Sequence, residues 1–373
     1  MNKLRDKCHG SLIGGAVGDA LGYEVEFMNL SSIQKRFGLD GIHDYVLNSD
    51  GIANFSDDTQ MTLFTAEGLL NAVGDDNHLE KDILPYISKA YEHWYFTQVY
   101  PPLSMSACWL THLKALWARR APGNTCMSAM ECIASPQGKP VVNNSKGCGG
   151  VMRVAPIGIY SAAHPKVFNL TQTGTLAGYA ADITHKHPTS TFSSMALAMI
   201  VSDCISHDNI NRDTFKFIII DRVFRLLGLT YEHNSELDVV KNLVFRALDL
   251  AVSDETDTAA ISQLGEGWIA EETLAIAVFS VMRYIDDFEK CIVCAVNHDG
   301  DSDSTGAVAG NIIGAILGYS VIPKKYLVGL ELLDVLSSVA DDLAEFSPKE
   351  QMKERYVNHN PYGVDKELLI NQK

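Results

Sequence analysis

Along most of the chain apolar residues recur at intervals of three and four, the spacing of one face of an α-helix. Leu63-Phe64-Ala66-Leu69-Leu70, Leu110-Leu113-Leu116-Trp117 and Leu274-Ala277-Val278-Val281-Ile285 are the clearest runs. Strict alternation, the mark of a half-buried strand, is scarce. The segment Phe215 to Phe224, with Ile218-Ile219-Ile220 inside it, suits a strand, but Asp213 as a helix cap and the apolar spacing on to Leu226-Leu227 suit a helix equally well. The pattern as a whole predicts an all-α protein. Pro- and Gly-rich punctuation falls in short stretches at 100–102, 121–124, 135–150 and 164–165, with no repeat or low-complexity segment. The expected organisation is one compact multi-helix domain over residues 1–345 and a polar tail over 346–373. The end from Asp341 to Lys373, polar apart from Leu368-Leu369-Ile370, is expected to lie loosely on the surface.

Composition narrows the function classes. With 373 residues, 46% hydrophobic and 20% charged, the chain can bury a large core, which excludes disordered, collagenous and small disulfide-stapled classes. Lys and Arg number 30 against 46 Asp and Glu, a net charge of −16. That balance argues against a nucleic-acid partner, because the phosphate backbone rewards clustered basic residues. A small anionic ligand stays compatible if metal ions supply local positive charge. No apolar run reaches the roughly 18 residues of a membrane span, so no membrane partner is expected. The opening Met1 to Lys7 lacks the apolar core and cleavage site of a secretory signal, so the expected location is cytoplasmic. The cysteines at 8, 108, 126, 132, 148, 204, 291 and 294 have no framework spacing and read as thiols.

Ser56-Asp57-Asp58-Thr59 stands directly before the apolar-periodic segment Met61 to Leu70. Carboxylates there can simply cap a helix and complement its dipole. Four consecutive oxygen-bearing side chains are also what a hard cation such as Mg²⁺ or Ca²⁺ requires. A second oxygen-rich group, Asn297 to Gly306 with Asp299, Asp301, Ser302, Asp303 and Ser304, precedes the small-residue segment Ala307 to Leu317. An EF-hand needs a glycine in mid-loop and a closing glutamate. The closing position falls on Ile312 counted from Asp301 and on Gly310 counted from Asp299, so that reading fails. Two oxygen-rich helix starts facing each other could hold a pair of metal ions, as two-metal hydrolytic sites do.

Glycines 14, 18 and 22 share one helical face and would let another backbone approach closely, and Asp19, Glu24 and Glu26 are carboxylates beside that helix. The Gly-rich turn Ser145 to Gly150 could form an anion-binding nest or a plain tight turn. Neither glycine segment has Rossmann or Walker spacing. Thr184-His185-Lys186-His187-Pro188 lacks the further ligands of a zinc site, and Cys291-Ile292-Val293-Cys294 reads as core. A Cys148–His185 nucleophilic pair has no activating context nearby.

Taken in order, Gly18-Asp19-Ala20-Leu21-Gly22 with Glu26-Phe27-Met28, Ser56-Asp57-Asp58-Thr59, Gly123-Asn124-Thr125, Gly147-Cys148-Gly149-Gly150-Val151-Met152-Arg153, Thr184-His185-x-His187-Pro188 and Gly300-Asp301-Ser302-Asp303-Ser304-Thr305-Gly306 resemble the ADP-ribosylglycohydrolase family. The match is close to its dinitrogenase reductase-activating and ADP-ribosylarginine hydrolase branches. The resemblance implies an all-α domain with a cleft holding ADP-ribose and two Mg²⁺ or Mn²⁺ ions. It implies Ser56, Asp57, Asp58, Asp301, Asp303 and Ser304 as metal ligands, with Glu26, Asp58 and Asp303 as the catalytic carboxylates. Gly147, Cys148, Gly149, Gly150, His185 and Trp268 are the implied ligand-binding residues. The implied activity is metal-dependent cleavage of the N-glycosidic bond between ADP-ribose and an acceptor, most simply an arginine of an ADP-ribosylated protein, with ADP-ribose as product. Another acceptor and a non-catalytic ADP-ribose-binding relative are the alternatives. Cys148 stands where the first branch carries Asn, Ser145 where it carries an acid, and Ser304 where Thr is commoner.

Overall fold

A helix over Lys3–Gly22 begins at Asn2, whose side chain accepts a hydrogen bond from the Arg5 N–H at 2.8 Å, and is buried from Lys7 to its end. The computed structural model in which it is seen describes residues 1–74, 80–105, 107–345 and 355–356. The helix runs antiparallel to Ser302–Leu317, and this is the most extensive helix–helix interface among the described residues. Glycine explains the closeness. A Cβ on Gly10, Gly14, Gly18 or Gly22 would lie 2.4, 2.6, 1.9 or 2.2 Å from a backbone oxygen of the facing helix. Gly306, Gly310 and Gly314 return the same fit, so each helix presents a one-turn glycine stripe to the other. This contact places the C-terminal end of the first helix beside the start of the last long buried helix.

Around the pair, Pro188–Ser206 and Ala270–Arg283 are buried on nearly every face, and Ser235–Ala251 turns Leu237, Val240, Val244, Ala247 and Leu248 inward. The described elements are all helical, apart from isolated bridges between Ala53 and Leu330 and between Gly147 and Ile269. The all-α expectation holds, and no described helix is long and apolar enough to cross a membrane. Cys291 and Cys294 are buried free thiols, as expected of core residues.

Three local readings change. The Phe215 run is helical, passing from Arg212–Phe217 through a wide π turn at Ile218–Phe224 into Arg225–Thr230. Its cap is Asn211, accepting from Thr214 N–H at 2.9 Å, while Asp213 lies inside the first turn. Leu110, Leu113 and Leu116 lie not on one α-helix but along two 3₁₀ turns, Trp109–His112 and Lys114–Trp117, joined at an extended Leu113. A spacing of three is the 3₁₀ repeat itself. Asp341 to Ala344 complete the helix Leu333–Ala344 rather than lying loosely. Asp341 accepts from Arg5 Nε and meets His9 Nε2, and Asp342 accepts from the hydroxyl of the buried Tyr356 at 2.9 Å. Polar residues there mark pairing partners. Apart from Arg355 and Tyr356, the tail 346–373 lies outside the described residues.

Candidate active site

The helix Asp57–Gly74 is capped from outside its own segment. Asp19, fully buried at the end of the first helix, accepts from Ser56 N–H at 2.8 Å and from Thr59 N–H at 2.9 Å. Ser56 Oγ accepts from Asp58 N–H at 3.2 Å. The orphan donors of the first turn are thereby met, which frees Asp57 and Asp58 from the capping role the sequence allowed them. Asp57 Oδ2 accepts from Gly123 N–H at 3.2 Å, and Asp58 Oδ2 accepts from the Ser304 hydroxyl at 2.7 Å. That last bond joins the two oxygen-rich helix starts, 246 residues apart in sequence. Ser304 N–H in turn donates to Asp303 Oδ1 at 2.9 Å.

Glu26 follows the first helix after a short turn. Ligand oxygens of Glu26, Asp301 and Asp303 all lie within 4.8 Å of one another. Glu26 is 7% exposed, and its Oε2 has no hydrogen-bond partner among the described residues. The three carboxylates singled out beside the first helix therefore separate. Asp19 is a cap, Glu24 pairs with Arg36 at the surface, and Glu26 faces the acidic cluster.

Burial, reinforced by the neighbouring Asp303 charge, raises Asp57, Asp58 and Asp301 well above the usual carboxylate range. The same causes push Glu26 up to about 10 and Asp19 up to about 7, the latter against its hydrogen bonds from Thr59 and Ser56. No ion pair reaches any of these carboxylates among the described residues; the nearby Arg120 guanidinium is committed to Glu331 and to the Phe55 carbonyl. Buried like charges without a counter-ion are costly. An all-oxygen donor set with an unpartnered glutamate fits hard divalent cations.

These groups line one side of a cleft of about 650 Å³, within the range of small-molecule sites. Its walls bring together Glu26, Asp57, Asp58, Asp301, Asp303, Ser304, Gly147, Cys148, Gly149, His185 and Trp268. Of the site residues expected from sequence, Ser56 and Gly150 do not line it. Ser56 lies beneath Asp58, and Gly150 packs so tightly that an added Cβ would sit 2.5 Å from Ser190 Oγ. The loop donors Gly147 N–H and Cys148 N–H go to Ser145 Oγ at 3.4 Å and to the Trp268 carbonyl at 3.1 Å, which withdraws both from an anion nest.

His185 is held from behind. The fully buried Arg153 donates to Thr184 Oγ1 at 2.7 Å, and that hydroxyl lies 2.8 Å from His185 Nδ1 but 3.4 Å from the Ala181 carbonyl. The Thr184 hydroxyl thus links the Arg153 guanidinium to the Nδ1 side of the ring and fixes its orientation. Burial, with help from the Arg153 charge, lowers the His185 pKa to about 3, so the ring is neutral near pH 7. Gly149 has to be glycine, because a Cβ would stand 2.8 Å from His185 Cε1. His187 instead turns to the Thr189 N–H at 3.2 Å and caps the helix Pro188–Ser206, which ends the zinc reading of the His pair.

Sequence reasoning missed two contributors. Phe27, 75% exposed, stacks on Trp268 at the cleft rim with ring centroids 6.0 Å apart. Its signal in the sequence was its place in the Glu26-Phe27-Met28 stretch, which gave it no role of its own. Arg119 also lines the cleft and is exposed.

The sequence profile of the family described as ADP-ribosylglycohydrolase matches residues 1–352. The chain is 24% identical to the ADP-ribosyl-[dinitrogen reductase] glycohydrolase of Rhodospirillum rubrum, over 88% of this chain and 92% of that one. It is 25% identical to ADP-ribosylarginine hydrolase Tri1 of Serratia proteamaculans, over 92% of this chain and 81% of that one. A solved ADP-ribosylglycohydrolase-related protein superimposes with a TM-score of 0.59 at 22% identity, covering 92% of this chain and 99% of its own, a likeness of fold.

Proposed function

Because the chain belongs to the ADP-ribosylglycohydrolase family, we propose that it is a metal-dependent hydrolase that releases ADP-ribose from an ADP-ribosylated acceptor, with a protein arginine as the favoured acceptor. The observation that carries this reading is the Ser304–Asp58 hydrogen bond joining two acidic helix starts beside the unpartnered Glu26. Asp57, Asp58, Asp301, Asp303 and Ser304 would hold two Mg²⁺ or Mn²⁺ ions, with Ser56 fixing Asp58 from below. Bound there, such ions supply the positive charge that lets the carboxylates ionise together, orient ribose hydroxyls and acidify nearby water.

The chain's own residues then divide the work. The walls hold the pyrophosphate and ribose away from bulk water, with the neutral His185 ring as a polar group on the cleft wall. Glu26 accepts the proton of the water whose oxygen bonds to the anomeric carbon as the bond to the acceptor nitrogen breaks; the leaving nitrogen takes its proton from solvent, to which Glu26 afterwards returns the one it accepted. Glu26 suits this role better than Asp58, whose Oδ2 already accepts from Ser304. Phe27 and Trp268 offer an aromatic face at the rim for a planar group of the ligand.

One observation favours a second reading of the acceptor. Among the described residues every carboxylate lining the cleft belongs to the acidic cluster, while Arg119 adds a cation to the rim, so none of them is spare to pair a guanidinium. An acceptor other than arginine fits that arrangement. The test is release of free ADP-ribose from arginine-linked and from hydroxyl-linked ADP-ribosylated proteins, each with Mg²⁺, with Mn²⁺ and with EDTA. Metal-dependent release from the first alone supports arginine, and release from the second alone shifts the acceptor. Tight ADP-ribose binding without release from either overturns the hydrolase in favour of a binding protein.

A further inference from the structure

We propose that a groove beside the cleft receives the polypeptide flanking the ADP-ribosylated residue and selects flanks that carry Lys or Arg. The groove holds about 540 Å³, within the range of binding sites, and Trp268 lines both it and the cleft. Leu30, Ile261 and Ile269 give it apolar surface, and Glu266, Glu272 and Asp299 line it as well. Among the described residues no Lys or Arg does. The partition between groove and cleft is tied to the site itself. The Glu266 carbonyl accepts from Asp301 N–H at 2.8 Å, and the Trp268 carbonyl accepts from Cys148 N–H at 3.1 Å. Asp299 Oδ1 accepts from Leu30 N–H at 2.7 Å, three residues after Phe27, whose ring stacks on Trp268. A chain that leaves the cleft over Trp268 therefore enters the groove.

Charge decides the occupant. Glu272 is half-buried and accepts from the Glu266 and Gly267 N–H groups at 3.1 and 3.2 Å, so backbone donors already meet part of its charge. Glu266 and Asp299 are exposed, and in a chain of net charge −16 no basic residue lining the groove offsets them. A further phosphate-bearing unit is repelled here, and so is an acidic flank, whereas an ammonium or guanidinium near the modified residue is attracted. The cleft's acidic cluster is committed to metal ions, so these two carboxylates are the ones left to read the acceptor's surroundings. The inference rests on the proposed function in taking the ligand to be an ADP-ribosylated protein.

The test uses the full chain and two fluorescent peptides ADP-ribosylated at the same central residue, one flanked by lysines and one by glutamates, each made with the arginine and with the hydroxyl linkage. KM and kcat are read by release of ADP-ribose with Mn²⁺, and affinity by anisotropy in a Glu26→Gln background. The lysine-flanked peptide is expected to bind more tightly and to have the lower KM at similar kcat. That preference is expected to fade as NaCl approaches about 1 M, where charges act only within about 3 Å. An exposed ion pair supplies no more than about a fivefold effect. Glu266→Gln and Asp299→Asn are each expected to reduce the preference about twofold to fivefold, with Mn²⁺ affinity unchanged. Glu266→Lys combined with Asp299→Lys is expected to turn the preference toward the glutamate-flanked peptide, which a merely loosened loop would not do. Asp213→Asn, in a helix that lines neither cavity, controls for net charge. Equal affinity for the two peptides in the wild type, or a preference that the groove variants lower no more than Asp213→Asn does, overturns the groove and leaves the proposed function standing. Release from neither linkage overturns the proposed function, while the two affinities still decide the groove.

Discussion

Replacing Gly18 by alanine tests whether the glycine stripe positions the site. The added Cβ would stand 1.9 Å from the Gly306 carbonyl oxygen, whereas ordinary contact begins at 3.4 Å, so the helices must separate by about 3.4 − 1.9 = 1.5 Å. The obstacle is backbone, which cannot swing aside as a side chain can. Overpacking of this kind costs about 3 kcal/mol, which in a chain of this length lowers Tm by a few degrees. Gly18 adjoins Asp19, and Gly306 lies two residues after Ser304. Passed on through the Asp19 cap to the helix that carries Asp58, a shift of up to 1.5 Å lengthens the 2.7 Å Ser304–Asp58 hydrogen bond to as much as about 4.2 Å, beyond bonding range. Misplacement by about 1 Å can cost on the order of 100-fold in rate. Gly18→Ala is therefore expected to lose Tm and ADP-ribose release together, and to bind Mn²⁺ more weakly. The control is Gly228→Ala, where nothing lies within 4 Å of the new Cβ in the helix Arg225–Thr230. That change is expected to stabilise by about 0.5–1 kcal/mol with activity unchanged. A Gly18→Ala protein with wild-type Tm and activity would refute the claim that close helix approach sets the carboxylate geometry.

Other expectations follow from single groups. Glu67 is buried with Oε2 unpartnered, and burial raises its pKa to about 7 against 4.5 in the open chain. The folded state holds that proton more tightly, so stability falls as pH rises from about 4.5 to about 7, by on the order of 3 kcal/mol. Glu67→Gln removes the slope, so its Tm advantage over the wild type should grow between about pH 5 and pH 8; a pH-independent difference would count against this. Arg120→Ala leaves Glu331, 6% exposed, without its partner and is expected to cost about 3–5 kcal/mol, read by denaturant unfolding. A loss below about 1 kcal/mol would mean the pair is solvated. Asp19→Asn keeps only one of the two side-chain oxygens that accept from the Ser56 and Thr59 N–H groups at the start of Asp57–Gly74, so it should lower both Tm, by about 1 kcal/mol of stability, and Mn²⁺ affinity.

Much of the site could be read in the sequence because its chemistry is local. Ser56-Asp57-Asp58 and Asp301-Ser302-Asp303-Ser304 are consecutive, and each starts a helix, so both acidic groups were visible. The spacing of Gly14, Gly18 and Gly22 announced a close approach. Its partner was also written in the chain, as Gly306, Gly310 and Gly314, but only the fold pairs the two stripes. Asp19 looked like a candidate site carboxylate and is instead the cap of a helix 37 residues on, a role visible only once the first helix is docked. The Ser145 to Gly150 turn suggested free amides, yet Cys148 N–H is taken by the carbonyl of Trp268, a partner more than a hundred residues away. Asp341 and Asp342 looked like a solvated end, because nothing local reveals that Arg5, His9 and Tyr356 meet them.

The most direct test of the central claim is Asp303→Asn measured three ways on the same preparation. In EDTA the variant is expected to unfold at a higher temperature than the wild type, because one carboxylate leaves a buried acidic cluster that has no counter-ion among the described residues. Mn²⁺ binding and ADP-ribose release are both expected to be lost, the latter by at least about 100-fold. Release that continues in the variant, or in the wild type after EDTA, would contradict a site built on divalent ions held between the two facing helix starts.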